Sequence, residues 1–128
     1  MAMKLGDFVR EARAQIKEWD AETAAEKIED GGVLVVDVRE ADEYAKSHLP
    51  GAICIPRGVL EGAADPNYKH RDERLCNAHD RTILLVCESG GRSAMAAVTL
   101  QRMGFEHVYN LAGGVVVWEA EDLPMEQD

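Results

Sequence analysis

Apolar residues fall at Leu5, Phe8, Val9, Ala12 and Ile16, the spacing that lays one stripe along an amphipathic helix. Ile16-Lys17-Glu18-Trp19 also alternates apolar and polar, so this stretch reads either as the helix continuing or as a short strand, and periodicity leaves both open. Asp20 is an N-cap for a helix over Ala21–Asp30, which Gly31-Gly32 would end. Val33–Val38 is a short, β-branched, apolar run interrupted only by Asp37, the pattern of a strand buried on both faces. Polar residues 39–46 follow, with Ala41 and Tyr44 at helical spacing, then a turn at His48-Leu49-Pro50-Gly51. Ala52–Ile55 predicts a second strand, stopped by Pro56. Residues 57–81 are irregular and rich in charge, a long loop with room for one helical turn. Thr82–Val86 is another buried strand ending at Cys87, and a glycine turn leads into a helix over Arg92–Met103 that Gly104 closes. Val108–Leu111 is a further strand, and Gly113-Gly114 precedes a short helix carrying Trp118. Buried strands alternating with helices predict an α/β domain with a mostly parallel central sheet flanked by helices on both faces. Sites in such sheets form beyond the carboxyl ends of the strands, where Cys87 falls.

The chain has 128 residues, 46% of them hydrophobic, enough for one core without disulfide staples. Residues 1–15 read as an N-terminal helical extension and residues 16–128 as a single domain. The formal net charge of −10 argues against a nucleic-acid binder, which needs a basic face, but leaves room for a local cationic pocket. The start lacks the apolar run of a signal peptide and no segment reaches membrane-spanning length, so a soluble, cytoplasmic protein with no membrane partner is expected. The three cysteines, Cys54, Cys76 and Cys87, are odd in number and widely spaced. Neither a disulfide framework nor a metal site fits them, and each is a small buried hydrophobe or a reactive thiol.

The segment that carries chemistry is Cys87-Glu88-Ser89-Gly90-Gly91-Arg92-Ser93, between an apolar strand and a helix. A nucleophilic cysteine acts as the thiolate, so its charge must be stabilised. Backbone N–H groups in a strand-to-helix turn and the positive end of the helix dipole supply that stabilisation. Gly90 and Gly91 let the backbone curl, Arg92 adds a permanent charge, and Ser93 is a suitable cap. Taken alone, the same pattern also suits a structural cysteine before an ordinary glycine turn.

Motifs elsewhere in the chain shift that balance. In order they are Val36-Asp37-Val38-Arg39-Glu40, His48-Leu49-Pro50-Gly51-Ala52 with Ile55-Pro56, Val86–Ser93, Asn110-Leu111-Ala112-Gly113-Gly114, and finally Trp118 with Leu123-Pro124. From about Trp19 to Met125 the chain resembles the rhodanese homology family. The resemblance implies a rhodanese-like fold and a sulfurtransferase. In it Cys87 takes sulfane sulfur from thiosulfate or a persulfide and passes it to a thiol, cyanide or protein acceptor, with no metal or organic cofactor. It implies that the backbone of Glu88, Ser89, Gly90, Gly91, Arg92 and Ser93 stabilises the persulfide. It also bears on the loop length: related cell-cycle phosphatases and arsenate reductases place five residues between cysteine and arginine, whereas four stand between Cys87 and Arg92. The smaller ring suits sulfur better than a tetrahedral phosphate. A non-catalytic binding or redox-sensing module is the first alternative the family allows, though such modules commonly lack the cysteine, and a phosphatase or arsenate reductase is the weaker one.

One departure from the family is Glu88, a carboxylate beside the nucleophile where basic residues often assist thiosulfate; it would oppose a dianionic donor. Arg57 would supply the missing charge if it turned toward the loop. Asp37 and Arg39 are expected to brace strand ends, and His48 to anchor its turn by hydrogen bonds. His70 and His79 are within chain reach of the site, Cys54 reads as a buried hydrophobe, and Cys76 is a candidate resolving thiol. The apolar stripe of the first helix is expected to pack on the body, with a homodimer through that helix as the second option.

Overall fold

The computed structural model describes residues 1–127; Asp128, the last residue of the expected domain, lies outside the described residues. Five strands form one parallel sheet in the order β1-β5-β4-β2-β3: β1 (Lys17–Trp19), β2 (Val33–Asp37), β3 (Ile53–Cys54), β4 (Thr82–Val86) and β5 (His107–Leu111). The helices are α1 (Leu5–Arg13), α2 (Ala21–Asp30), α3 (Ala41–Lys46), α4 (Leu60–Ala64), α5 (Glu73–Cys76), α6 (Gly91–Arg102) and α7 (Gly114–Ala120).

The apolar runs of β2 and β4 are continuous because both faces of the sheet are covered. Alternate residues Leu34, Val36, Ile83 and Leu85 join Leu60, Leu75, Ala97 and Leu100 of α4, α5 and α6 in one core. Their neighbours Val35, Leu84 and Val86 point the other way, into a second core with Ala21 and Ala24 of α2 and Val115 and Trp118 of α7. The period of two along each strand divides the side chains between the two cores. This is the expected α/β architecture.

One detail left open is resolved, and two others differ from expectation. Residues 17–19 form a strand, so the ambiguous stretch does not continue the helix; β1 lies at the sheet edge on β5, where Trp19 stacks on Tyr109 at 4.2 Å between ring centroids. Residues 57–81 are more regular than a loop, holding a 3-10 turn at Arg57–Val59 and then α4 and α5. These helices are four or five residues long, too short to show a helical period. Finally, only part of the α1 stripe packs. Ala12 is buried and Val9 lies against the head of α6, while Leu5 and Phe8 stay 70% and 48% exposed.

The carboxyl ends of β2 and β4 meet where Asp37 pairs in register with Val86, the residue before Cys87. Asp37 and Arg39 are buried there as an ion pair of 2.8 Å. The Arg39 backbone N–H donates to Asp37 at 3.0 Å, and its guanidinium also reaches the carbonyl of Ser47 at 2.7 Å. The pair thereby ties the end of β2 to the far end of α3. The His48 turn is held nearby: its ring lies on Tyr44 at 3.7 Å, and its backbone exchanges hydrogen bonds with Glu126. Among the described residues no helix is long and apolar enough to cross a membrane.

Candidate active site

Cys87 leaves the end of β4 and its side chain turns under the following loop, only 1% exposed. Three donors converge on its Sγ: the Gly90 N–H at 3.1 Å, the Ser93 N–H at 3.4 Å and the Ser93 hydroxyl at 3.2 Å. Gly90 is the N-cap of α6 and takes a left-handed conformation, φ 97°, which a side chain would resist. The sulfur therefore sits at the head of a 12-residue helix, where the dipole favours negative charge. Ser93 is not the cap its position suggested. It lies inside the first turn, fully buried, and its hydroxyl serves the sulfur directly.

The loop is held from outside as firmly as it holds the sulfur. Asn110 at the end of β5 donates from Nδ2 to the Gly90 carbonyl at 3.1 Å and to Glu18 at 2.8 Å, which anchors the residue whose own N–H meets Sγ. Glu18 is gripped in turn by Arg13 of α1 at 3.1 Å. From the other side, the first N–H groups of α7 bind the two carbonyls that precede the turn: Val115 to Cys87 and Val116 to Glu88, each at 3.0 Å. Gly114 permits this approach, since its φ is 60° and a Cβ there would lie 2.5 Å from the Cys87 carbonyl oxygen.

Arg92 does not point over the sulfur. Its guanidinium forms a two-pronged pair with Glu43 of α3, at 2.9 and 3.0 Å. That pair pulls the Glu43 carboxyl down to about 2, chiefly through the Arg92 hydrogen bonds and against the cost of burial, and raises the Arg92 pKa. Arg92 still contributes to the field at Cys87, but as a bound strut between α6 and α3. A carboxyl held below its ordinary 4.5 contributes stability that is complete above that value and is lost as pH falls from about 4.5 to about 2. Urea midpoints of the wild type should fall across that window, and Glu43→Gln should flatten this part of the profile.

Arg57, a candidate substrate contact, is turned away: it pairs with Glu61 at 3.1 Å and donates to Thr99 on α6 at 3.1 Å. Neighbouring charges in its own helical turn outcompete the distant loop. Glu88 is exposed and lines a separate shallow cleft with Arg39, Glu43 and Lys46 between α3 and α7. Ser89 is exposed on the loop, and Gly91 lies against Val9 of α1, where an added Cβ would come within 3.2 Å of its Cγ2. His79 stacks on Phe105 and His70 lies beside Tyr68, neither at the loop. Cys76 is buried in α5, and burial together with the Asp37 charge raises the Cys54 thiol pKa. Among the described residues, no group of three or more His, Cys, Asp or Glu residues is placed to hold a metal ion.

Above the loop lies an open cleft of about 700 Å³. Its floor is Ser89–Arg92 and its wall is α1, through Leu5, Val9, Arg10 and Arg13. Sequence reasoning did not anticipate that wall, nor the roles of Glu43, Glu18 and Asn110. Only Asn110 stood in a motif; the other two partners lie 49 and 92 residues from the groups they bind, with no local signal.

A strand-end cysteine under converging donors, in a four-residue loop before a helix, agrees with the family comparison. The Rhodanese-like domain model matches residues 20–121. The chain belongs to the rhodanese-like family. It is similar to "Putative sulfur carrier protein YrkF" of Bacillus subtilis, 35% identical over 90% of this chain and 57% of that protein. A protein named sulfurtransferase from Allochromatium vinosum is 30% identical, covering 86% of this rhodanese-like chain and 94% of its own length. The chain thus spans little more than half of the first relative and nearly all of the second. Among solved structures, a Rhodopseudomonas palustris protein described as of unknown function, "Possible Tyrosine Phosphatase", aligns with TM-score 0.89 at 28% identity, over 98% of this chain and 96% of its own.

The donors at the sulfur give a direct test of the rhodanese-like loop. Ser93→Ala removes one of three and leaves the backbone intact. Alkylation of Cys87 by iodoacetamide at neutral pH should slow about tenfold, the effect of losing one hydrogen bond to a charged group.

Proposed function

We propose that this chain is a sulfurtransferase in which Cys87 carries sulfane sulfur as a persulfide. The observation that carries the reading is the Cys87 Sγ beneath three hydrogen-bond donors at the head of α6. In the first displacement the Cys87 thiolate attacks the outer sulfur of a persulfide or the sulfane sulfur of thiosulfate. The donor's S–S bond breaks, and its electron pair leaves on the donor thiolate or on sulfite. In the second, an acceptor thiol, cyanide or a protein thiol attacks the outer sulfur of the Cys87 persulfide, and the Cys87 thiolate is the leaving group. Each step exchanges one bond to sulfur for another, so no electron carrier is required.

The converging N–H and O–H groups match a charge that moves between Sγ and the sulfur bonded to it. Glu88 weighs less against an anionic donor than its place in the chain suggests, because its carboxylate is exposed and screened by water.

The phosphatase description of the Rhodopseudomonas structure raises a second reading. Two features of this chain count against it: four residues between Cys87 and Arg92 make a tight ring, and Arg92 is bound to Glu43 rather than poised over the loop to clasp phosphoryl oxygens.

The test is to incubate the protein with thiosulfate, then with a low-mass persulfide, and weigh it intact. A gain of one sulfur atom mapped to Cys87 is expected. No gain with any donor would overturn the reading in favour of a binding module, and turnover of an aryl phosphate lost in Cys87→Ser would favour the phosphatase.

A further inference from the structure

The protein carries a net charge of −10, yet the cleft over the Cys87 loop is lined by three arginines and no acidic residue. Two of the three, Arg10 and Arg13, come from α1, together with the aliphatic side chains of Leu5 and Val9. The arginines differ in how far they are committed. Arg92 is held on both prongs by Glu43. Arg13 binds Glu18, which is anchored on Asn110 beneath the loop. Among the described residues Arg10 pairs only with Asp7, one turn away in the same helix, and its side chain is 74% exposed. An exposed pair of this kind holds its partner weakly, so the guanidinium fork is open to a competing carboxylate.

A cleft of about 700 Å³ suits a small molecule. Its floor is the loop that encloses the Cys87 sulfur, its wall offers a short aliphatic surface, and its rim offers a planar cation. We infer that α1 selects the small molecules that exchange sulfur with Cys87, favouring thiols and persulfides that bear a carboxylate. Arg10 grips the carboxylate, Arg13 adds charge beside it, and the carbon chain lies on Leu5 and Val9. This inference rests on the persulfide reading above. In the step concerned, the acceptor thiolate attacks the outer sulfur of the Cys87 persulfide. The S–S bond breaks, Cys87 keeps the electron pair as thiolate, and the acceptor departs as a persulfide.

The experiment compares two acceptors on the sulfur-loaded full chain, 3-mercaptopropionate and the neutral 2-mercaptoethanol. The loss of the extra sulfur is followed by intact mass. Each ratio of rates is divided by the same ratio measured on a free small-molecule persulfide, which removes intrinsic differences in nucleophilicity. The corrected ratio should favour the carboxylate about tenfold, the factor that one charge-assisted hydrogen bond supports. It should shrink with added salt. Arg10→Glu should bring it to one or below, and Arg10→Lys should keep only part of it, since the charge stays while the two-pronged fork is lost. A corrected ratio near one in the wild type, or one unchanged in Arg10→Glu, overturns the role of α1 while leaving the persulfide intact. If Cys87 takes up no sulfur from any donor, the persulfide reading falls, and this inference with it.

Discussion

Cys87→Ser should lose sulfur transfer by at least about a thousandfold, the scale on which removal of a covalent nucleophile acts. Serine replaces sulfur with a smaller oxygen in the same enclosed place, where Gly90 and Ser93 can still donate to it. The fold is therefore retained and the melting temperature should stay close to that of the wild type. What disappears is the chemistry: a serine hydroxyl is not ionised near neutral pH and forms no bond to sulfane sulfur that can be handed on. Intact mass after incubation with thiosulfate or a persulfide should show no added sulfur, and transfer to cyanide or thiol should fall to the uncatalysed rate. A Cys87→Ser protein that transfers within tenfold of the wild type would place the carrier elsewhere. Cys54 and Cys76 are the other thiols, one beside Arg39 and the other buried in α5.

The largest expected loss of stability comes from Arg39→Ala. Asp37 is 0% and Arg39 5% exposed, and the guanidinium binds both carboxylate oxygens as well as the Ser47 carbonyl. Truncating the arginine strands a buried carboxylate between β3 and β4, where its register partners are Cys54 and Val86. Breaking a buried pair from one side costs about 3–5 kcal/mol. The urea midpoint should fall with little change in slope, and the melting temperature should drop by roughly 10–20 °C. Much of that cost is the isolated charge and not the worth of the pair. Removing both partners, as Asp37→Leu with Arg39→Met, should therefore recover a large part of the loss. A single Arg39→Ala variant as stable as the wild type would contradict the burial of this pair.

The two clearest strands and the reactive loop could be read without a structure because their determinants are contiguous. Val33–Asp37 and Thr82–Val86 are apolar at every position but the last or first, which a strand covered on both faces requires. The Asp20 cap and the Gly31 stop bound α2 as expected, and the Asp20 carboxylate accepts from the Thr23 N–H at 2.8 Å. Where the reading was open or incomplete, the cause is length. Three residues of β1 look equally like the end of a helix, and α4 and α5 are too short to carry a period. Charge was least legible of all. Arg92 and Glu88 stand beside the nucleophile in the chain and Arg57 is a candidate to reach it, yet each is directed elsewhere by a partner or by exposure.

The sequence by itself determined that a cysteine stands between a buried strand and a helix start, with glycine where the backbone must turn left-handed and serine one turn in. Nucleophile, turn and donors lie within seven consecutive residues, so local geometry is enough to bring them together. Only the tertiary structure decided what surrounds that sulfur. Asn110 and the head of α7 set the loop, Glu43 takes Arg92 out of it, and α1 brings Arg10 and Arg13 to its mouth. These groups come from segments far apart in the chain, and an arginine's direction depends on which carboxylate packing places within its reach. No pattern along the chain encodes that choice.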